Sequence, residues 1–190
     1  MENLNKKGLL LIMSGPSGVG KGTIREKLME DKSLNLFYSV SMTTRNMRPG
    51  EVDGREYYFV SKEEFKKNIE NGNLLEWAEY VGNFYGTPKD KVENMRFEGK
   101  NVLLEIDVKG TKNVLSKVDD VISIFIAPPS FEELANRLRG RGTETEEVIS
   151  NRVETARKEL EFKSQYKYVV INDKLEDAVD EIRKIIKENL

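Results

Sequence analysis

An apolar run from Leu9 to Ser14 leads directly into Gly15-Pro16-Ser17-Gly18-Val19-Gly20-Lys21-Gly22-Thr23, and helical spacing through Ile24, Leu28 and Met29 follows. Continuous apolar character marks a strand covered on both faces, and the order strand, glycine-rich loop, helix is that of a βα unit in a parallel sheet. The loop composition is that of a phosphate cradle. Its glycines let backbone N–H groups turn inward around an anion, the helix start adds positive potential, and Lys21 brings a point charge to terminal phosphates. A glycine-rich connection without a ligand is the plainer alternative, and the register of strand, lysine and helix argues against it. Gly22 stands where the common form of this loop has Ser or Thr for Mg²⁺, and Thr23 comes one residue later. Direct metal contact from the loop therefore stays open.

Three further apolar runs, Asn101–Asp107, Val121–Ala127 and Tyr168–Ile171, repeat the buried-strand pattern. Between them Leu175, Ala178, Val179, Ile182, Ile185 and Ile186, and likewise Ile149, Val153, Ala156 and Leu160, recur at helical spacing. Capping boxes are expected at Ser61 with Glu64, Ser130 with Glu133, Thr143 with Glu146 and Asp173 with Glu176, and Thr87-Pro88 reads as a cap followed by a first-turn proline. The fold class is α/β, with a parallel sheet between helices. Phe37–Ser41, Tyr57–Val60, Leu74–Trp77 and Phe84–Tyr85 are shorter and separated by turns such as Asp53-Gly54. They predict a small, mostly antiparallel lobe at about residues 38 to 90.

Composition narrows the chemistry. The 190 residues contain no Cys and no His, which removes disulfides, thiolate sites, imidazole ligands and Ser-His triads. Carboxylates, lysine, arginine and hydroxyls remain, the set that suffices where positioning and charge neutralisation carry the reaction. A net charge of −2 provides no overall field toward nucleic acid or anionic membrane. The N-terminal apolar run is far shorter than the ~20 residues of a membrane span. The expectation is a soluble, cytoplasmic chain with neither nucleic-acid nor membrane partners, and one domain of 190 residues.

Arginines supply a second signal. Arg45 and Arg48 lie beside Ser41, Thr43 and Thr44, and Arg137, Arg139, Arg141 and Arg152 surround Gly140 and Gly142. Guanidinium forks match phosphate oxygens, although a solvated charged face is the ordinary reading of any single arginine. Arg139 has no supporting feature and stays with that ordinary reading. Glu105-Ile106-Asp107 closes a strand where ligands of open α/β sheets bind, so either carboxylate is a candidate for Mg²⁺ or a ligand donor, and strand alternation would put both on one face. An aspartate that merely starts a turn fits equally well.

These residues, with Gly50-Glu51, Gly54, Tyr57, Glu76-Trp77-Ala78, Tyr85-Gly86-Thr87, Leu104-Glu105-Ile106-Asp107, Ala127-Pro128-Pro129-Ser130 and Arg137 through Glu146, closely resemble the guanylate kinase family over nearly the whole chain. Gly-Lys-Gly-Thr is common in nucleoside monophosphate kinases, whereas Glu105 stands where the family commonly has Asp. The resemblance implies a three-layer parallel sheet with a P-loop, a lobe for the nucleoside monophosphate and a helical lid. It divides the chain into a core (about 1–37, 91–127 and 163–190), a GMP lobe (38–90) and a lid (128–162). It implies transfer of the ATP γ-phosphoryl group to GMP or dGMP, with Mg²⁺ held mainly by ATP phosphates and water, and with Glu105 or Asp107 as an additional ligand. ATP would contact Gly15, Pro16, Ser17, Gly18, Val19, Gly20, Lys21, Gly22, Thr23 and Asn172. GMP would meet Ser41, Arg45, Arg48, Tyr57, Glu76, Tyr85, Thr87 and Asp107. Lys21, Arg137, Arg141 and Arg152 would be the catalytic cations. Monomer and homodimer both stay open. Binding modules of scaffold proteins resemble the same family, but there the phosphate loop has decayed; a different kinase or NTPase with this loop would not need the Ser41 to Tyr57 stretch.

Overall fold

The computed structural model describes residues 7–80, 82–140 and 146–190. Its main sheet contains β1 (Leu10–Ser14), β2 (Leu36–Tyr38), β7 (Asn101–Glu105), β8 (Val121–Ala127) and β9 (Tyr168–Ile171), in the order β2-β7-β1-β8-β9, every pairing parallel. Central β1 explains its apolar run: Leu11 and Met13 join one core, and Leu10 and Ile12 the opposite one. The first core is built with α1 (Lys21–Glu30), α5 (Phe131–Arg139), α6 (Glu146–Leu160) and α7 (Leu175–Glu188). The second uses α3 (Lys89–Phe97) and α4 (Val108–Leu115). Helices on both faces make three layers, and each fully buried Leu or Ile contributes roughly 1.5–3 kcal/mol of transfer free energy.

A separate small sheet has the order β4-β3-β6-β5, from β3 (Met42–Thr43), β4 (Tyr58–Phe59), β5 (Leu74–Tyr80) and β6 (Asn83–Pro88), with α2 (Lys62–Glu70) between β4 and β5. Only β3 with β4 is parallel; β3–β6 and β5–β6 are antiparallel, as the short-strand pattern predicted.

Several local expectations change. Leu36–Tyr38 is the edge strand of the main sheet and not part of the small one, because it pairs in parallel with β7, Leu36 opposite Asn101 and Tyr38 opposite Leu103. Short length and half-burial at an edge made it look like a hairpin strand. Strand β7 ends at Glu105, so alternation does not extend to Asp107, which caps α4 by accepting from Gly110 N at 2.7 Å. Ser61 and Ser130 cap α2 and α5 as expected. Asp173 does not cap α7, which starts after Lys174 without a side-chain cap. Helix α3 begins after Pro88, and the Thr87 hydroxyl is engaged elsewhere. The expected Thr143 cap lies outside the described residues.

Candidate active site

The phosphate loop joins β1 to α1 at the C-terminal edge of the sheet, with Lys21, Gly22 and Thr23 forming the first turn of the helix. Gly15, Gly18 and Gly20 all take positive φ, at 144°, 84° and 96°. At Gly20 the requirement is double, because a Cβ there would also lie 2.5 Å from Asn172 Nδ2. Val19 is fully buried and pins the middle of the loop into the core. Lys21 Nζ folds back to donate to the carbonyls of Gly15 and Pro16, the latter at 3.0 Å, so the ammonium is held over the loop.

Residues distant in sequence converge here. Arg152 Nη2 donates to Ser17 Oγ at 2.6 Å. Asn172 Nδ2 donates to Val19 O at 2.8 Å from a buried position, and Arg137 Nη1 donates to Asn172 O at 3.1 Å while its Nε reaches Glu133 at 3.0 Å. One N–H of the Asn172 amide therefore braces the loop. Arg141 lies outside the described residues. Glu159 is a neighbour that sequence reasoning missed: it accepts from the Ser17 backbone N–H, and burial raises its carboxyl pKa while the charge of Lys21 opposes the shift. Its helical position in a charged stretch carried no signal.

The second group lies in and around the small sheet. Glu76, at 4% exposure, accepts from Thr87 Oγ1 at 2.6 Å across the β5–β6 pair. Burial, reinforced by nearby Asp107 and opposed by the Thr87 bond and Lys117, pushes its carboxyl up to about 7. A solvated strand position is thereby excluded. A Cβ on Gly110 would lie 2.6 Å from Glu76 Oε2 and 3.3 Å from Asp107 Oδ1, so the two carboxylates meet over a residue that has no side chain. Gly110 is thus a second site position that the sequence reading did not single out.

Arg45 forms a two-pronged pair with Glu51, Nη2 to Oε1 at 2.7 Å and Nη1 to Oε2 at 3.0 Å, and the Arg48 backbone N–H donates to the same carboxylate at 2.8 Å. The Arg45 bonds and the Arg48 amide hold the Glu51 carboxyl down to about 2. Glu51 thereby organises the turn that carries both arginines. The Arg45 guanidinium lies 5.4 Å from the Tyr57 ring centre, and Tyr57 meets Tyr85 edge-on at 5.8 Å. Burial raises the Tyr57 phenol pKa, which keeps it a hydrogen-bond donor at neutral pH. Ser41 is half-buried just before β3, where its carbonyl accepts from Tyr58 N at 2.9 Å, and Arg48 is exposed.

Glu105 is paired within the protein. Its Oε2 accepts from Arg25 Nη1 at 3.0 Å, so an ion pair rather than an open carboxylate ends β7. Among the described residues, no three Asp or Glu side chains gather into a cation cage.

Comparison with known proteins agrees with this geometry. The family model described as guanylate kinase matches residues 7–189. The guanylate kinase of Lactococcus lactis subsp. lactis (strain IL1403) is 53% identical over 184 residues, covering 97% of this chain and 89% of the relative. That of Oceanobacillus iheyensis is 51% identical with the same coverage. The crystal structure of guanylate kinase from Anaplasma phagocytophilum superposes with a TM-score of 0.80 at 38% identity, covering 97% of this chain and 87% of that one. A shikimate kinase structure from Bacteroides thetaiotaomicron, at 17% identity and a TM-score of 0.51 over 94% of this chain and 98% of its own, shares the fold alone. With a phosphate loop on the sheet edge, a buried carboxylate in the small sheet and relatives matching over nearly its full length, the chain belongs to the guanylate kinase family.

Proposed function

We propose that this chain transfers the γ-phosphoryl group of ATP to GMP, or to dGMP, giving ADP and GDP. The observation that carries the reading is the buried Glu76 carboxylate, aimed by Thr87 and set beside Asp107. Guanine presents N1–H and exocyclic N2–H side by side, and one carboxylate accepts both. Adenine has an acceptor at N1 and no amine at C2, so the same carboxylate would stay buried and unpaired. The Ser41 hydroxyl fits a donor role toward O6. Arg45, Arg48, Tyr57 and Tyr85 fit the acceptor phosphate, with Glu51 holding the arginine fork in place.

On the donor side the N–H groups of the 15–20 loop and Lys21 suit the ATP phosphates. Arg137, Arg141 and Arg152 belong to the 128–162 lid in this reading, where they would bring charge to the transferring group. Two of them already reach the loop region, through Asn172 O and Ser17 Oγ. Asn172 braces the loop and through it bears on ATP. A bound Mg²⁺ would neutralise phosphate charge, held mainly by ATP oxygens and water, with Asp107 a better fit than Glu105 because Arg25 occupies the latter. No strong base is required, since a loose transition state places charge on the equatorial oxygens and alignment carries the rate. Closure of the 38–90 and 128–162 segments would exclude water and prevent ATP hydrolysis. Among the described residues no helix is long and apolar enough to cross a membrane, and the cytoplasm, where both nucleotides occur, is the compartment this reading assigns.

The test is ADP formation from ATP and Mg²⁺ with GMP, AMP, CMP, UMP or no acceptor, using wild type and Lys21→Ala. Turnover with GMP alone, abolished by the substitution, is expected. No turnover with any acceptor would overturn the assignment.

A further inference from the structure

Arg25 belongs to none of the roles above, yet it stands at their junction. It follows Lys21 by one helical turn on α1, so both cations lie on one stripe of the helix. Its Nη1 holds Glu105 at 3.0 Å, its guanidinium lies 4.5 Å from the Tyr38 ring centre, and it donates to the Tyr38 hydroxyl. Glu105 ends β7 and Tyr38 ends β2, which places the guanidinium at the carboxyl edge of the two strands on the side of β1 away from β8 and β9. Ligands of open α/β sheets bind outside that edge.

This cluster borders the acceptor group. Tyr57 feels the charge of Glu105, and Tyr38 in turn feels Tyr57. Tyr57 in turn packs against Arg45 and Tyr85. Arg25 Nη2 also lies 3.6 Å from Glu26, an exposed and distant partner, and the Arg25 side chain keeps 26% of its surface open beside the Glu105 and Tyr38 contacts, which leaves room for a phosphate at the fork.

We propose that Arg25 is a phosphate-binding residue of the acceptor site, a third guanidinium that meets the α-phosphate of the bound nucleoside monophosphate from the core side while Arg45 and Arg48 meet it from the small sheet. The inference rests on the assignment of the acceptor site to a nucleoside monophosphate. Glu105 and Tyr38 hold the side chain extended along the edge before the substrate arrives, and the incoming phosphate adds to this set without displacing the helix. Because Lys21 and Arg25 share a rigid helix, donor and acceptor phosphates would be set at a spacing that one element determines.

The experiment compares dissociation constants for GMP and guanosine, without ATP, in wild type, Arg25→Met, Arg25→Lys, Glu105→Gln and Arg45→Met. A phosphate contact predicts that Arg25→Met lowers the GMP preference over guanosine by roughly tenfold or more, as expected for a lost charge-assisted bidentate pair, with guanosine affinity unchanged. Arg25→Lys should recover part of that preference, because a point charge replaces a fork. Glu105→Gln should keep most of the preference, since the amide oxygen can still accept from Arg25 and the guanidinium stays in place. Equal losses for GMP and guanosine in Arg25→Met, or a loss in Glu105→Gln as large as in Arg25→Met, would reduce Arg25 to a structural brace and overturn the proposal. If Arg45→Met also leaves the preference intact, the acceptor-site assignment itself fails. A lowered preference in Arg45→Met with an unchanged one in Arg25→Met removes the Arg25 proposal alone.

Discussion

The Thr87 hydroxyl donates to the Glu76 carboxylate at 2.6 Å, from the strand directly opposite, in a position where neither side chain meets bulk water. That one bond fixes Oε1 on the neighbouring strand and leaves Oε2 against Gly110 of α4. It also explains why Thr87 does not act as the helix cap that the following proline suggested.

A carboxyl held up to about 7 makes base recognition pH-dependent. Guanine needs the ionised form, so GMP binding should release protons near pH 6.5 and tighten as pH rises from 6 to 8. Calorimetry in buffers of different ionisation enthalpy reads the proton count directly. A binding enthalpy independent of buffer, with a flat Kd across that range, would contradict the assignment.

Replacing Glu76 with Gln removes one of the two acceptors needed by guanine, and most of the GMP preference over AMP should vanish, by roughly 10²-fold or more in kcat/KM. Stability should move the other way. A folded-state pKa raised from 4.5 to about 7 means that the folded protein holds the extra proton, so stability falls as pH rises through that window. At pH 8 the charged, buried Glu76 costs up to roughly 3 kcal/mol, and Glu76→Gln should be the more stable protein there but not at pH 4.5. Urea titrations at the two pH values test this.

Gly110→Ala would push a methyl group to 2.6 Å from Glu76 Oε2. Because Gly110 is helical and ordinary in φ, alanine should preserve or slightly improve the helix while displacing the carboxylate. A raised KM for GMP with the KM for ATP unchanged is expected from steady-state kinetics; equal changes in both would point to a general distortion.

On the donor side, Lys21→Ala should lower kcat by about 10³-fold or more with little loss of thermal stability, since the ammonium's bonds to the Gly15 and Pro16 carbonyls lie within the loop itself. Asn172→Ala should differ in kind. Losing its buried bond to Val19 O should cost about 1–2 kcal/mol of stability and raise the KM for ATP with GMP unaffected. Identical behaviour of the two variants would mean that the loop is not braced from β9.

The sheet, the loop and the helices that bury it were legible because each carries a local signature: continuous apolar strands, positive-φ glycines and capping residues. Edge strand β2 is not legible in the sequence, because three half-buried residues look alike in either sheet and only the pairing with β7 distinguishes them. The site residues were reachable through motif resemblance, but Glu76 by itself was an unremarkable strand carboxylate. Its burial depends on Thr87, Asp107 and Gly110, which chain proximity does not reveal. Glu51, Glu159 and Arg25 were invisible as partners because ion pairs formed across elements leave no periodicity. Alternation along β7 does not reach Asp107, because after Glu105 the backbone turns into a helix cap that apolar patterning does not mark.

The small sheet enters the chain between β2 and β7, and the α5–α6 segment between β8 and β9, each pair being immediate neighbours in the main sheet. Each insertion thus leaves and returns at almost the same place, on opposite flanks of the strand that feeds the phosphate loop. An exchange of the first insertion would replace the groups facing the acceptor, base and phosphate together, while leaving the donor-phosphate loop in place, so acceptor choice and donor binding can diversify separately on one inherited chassis.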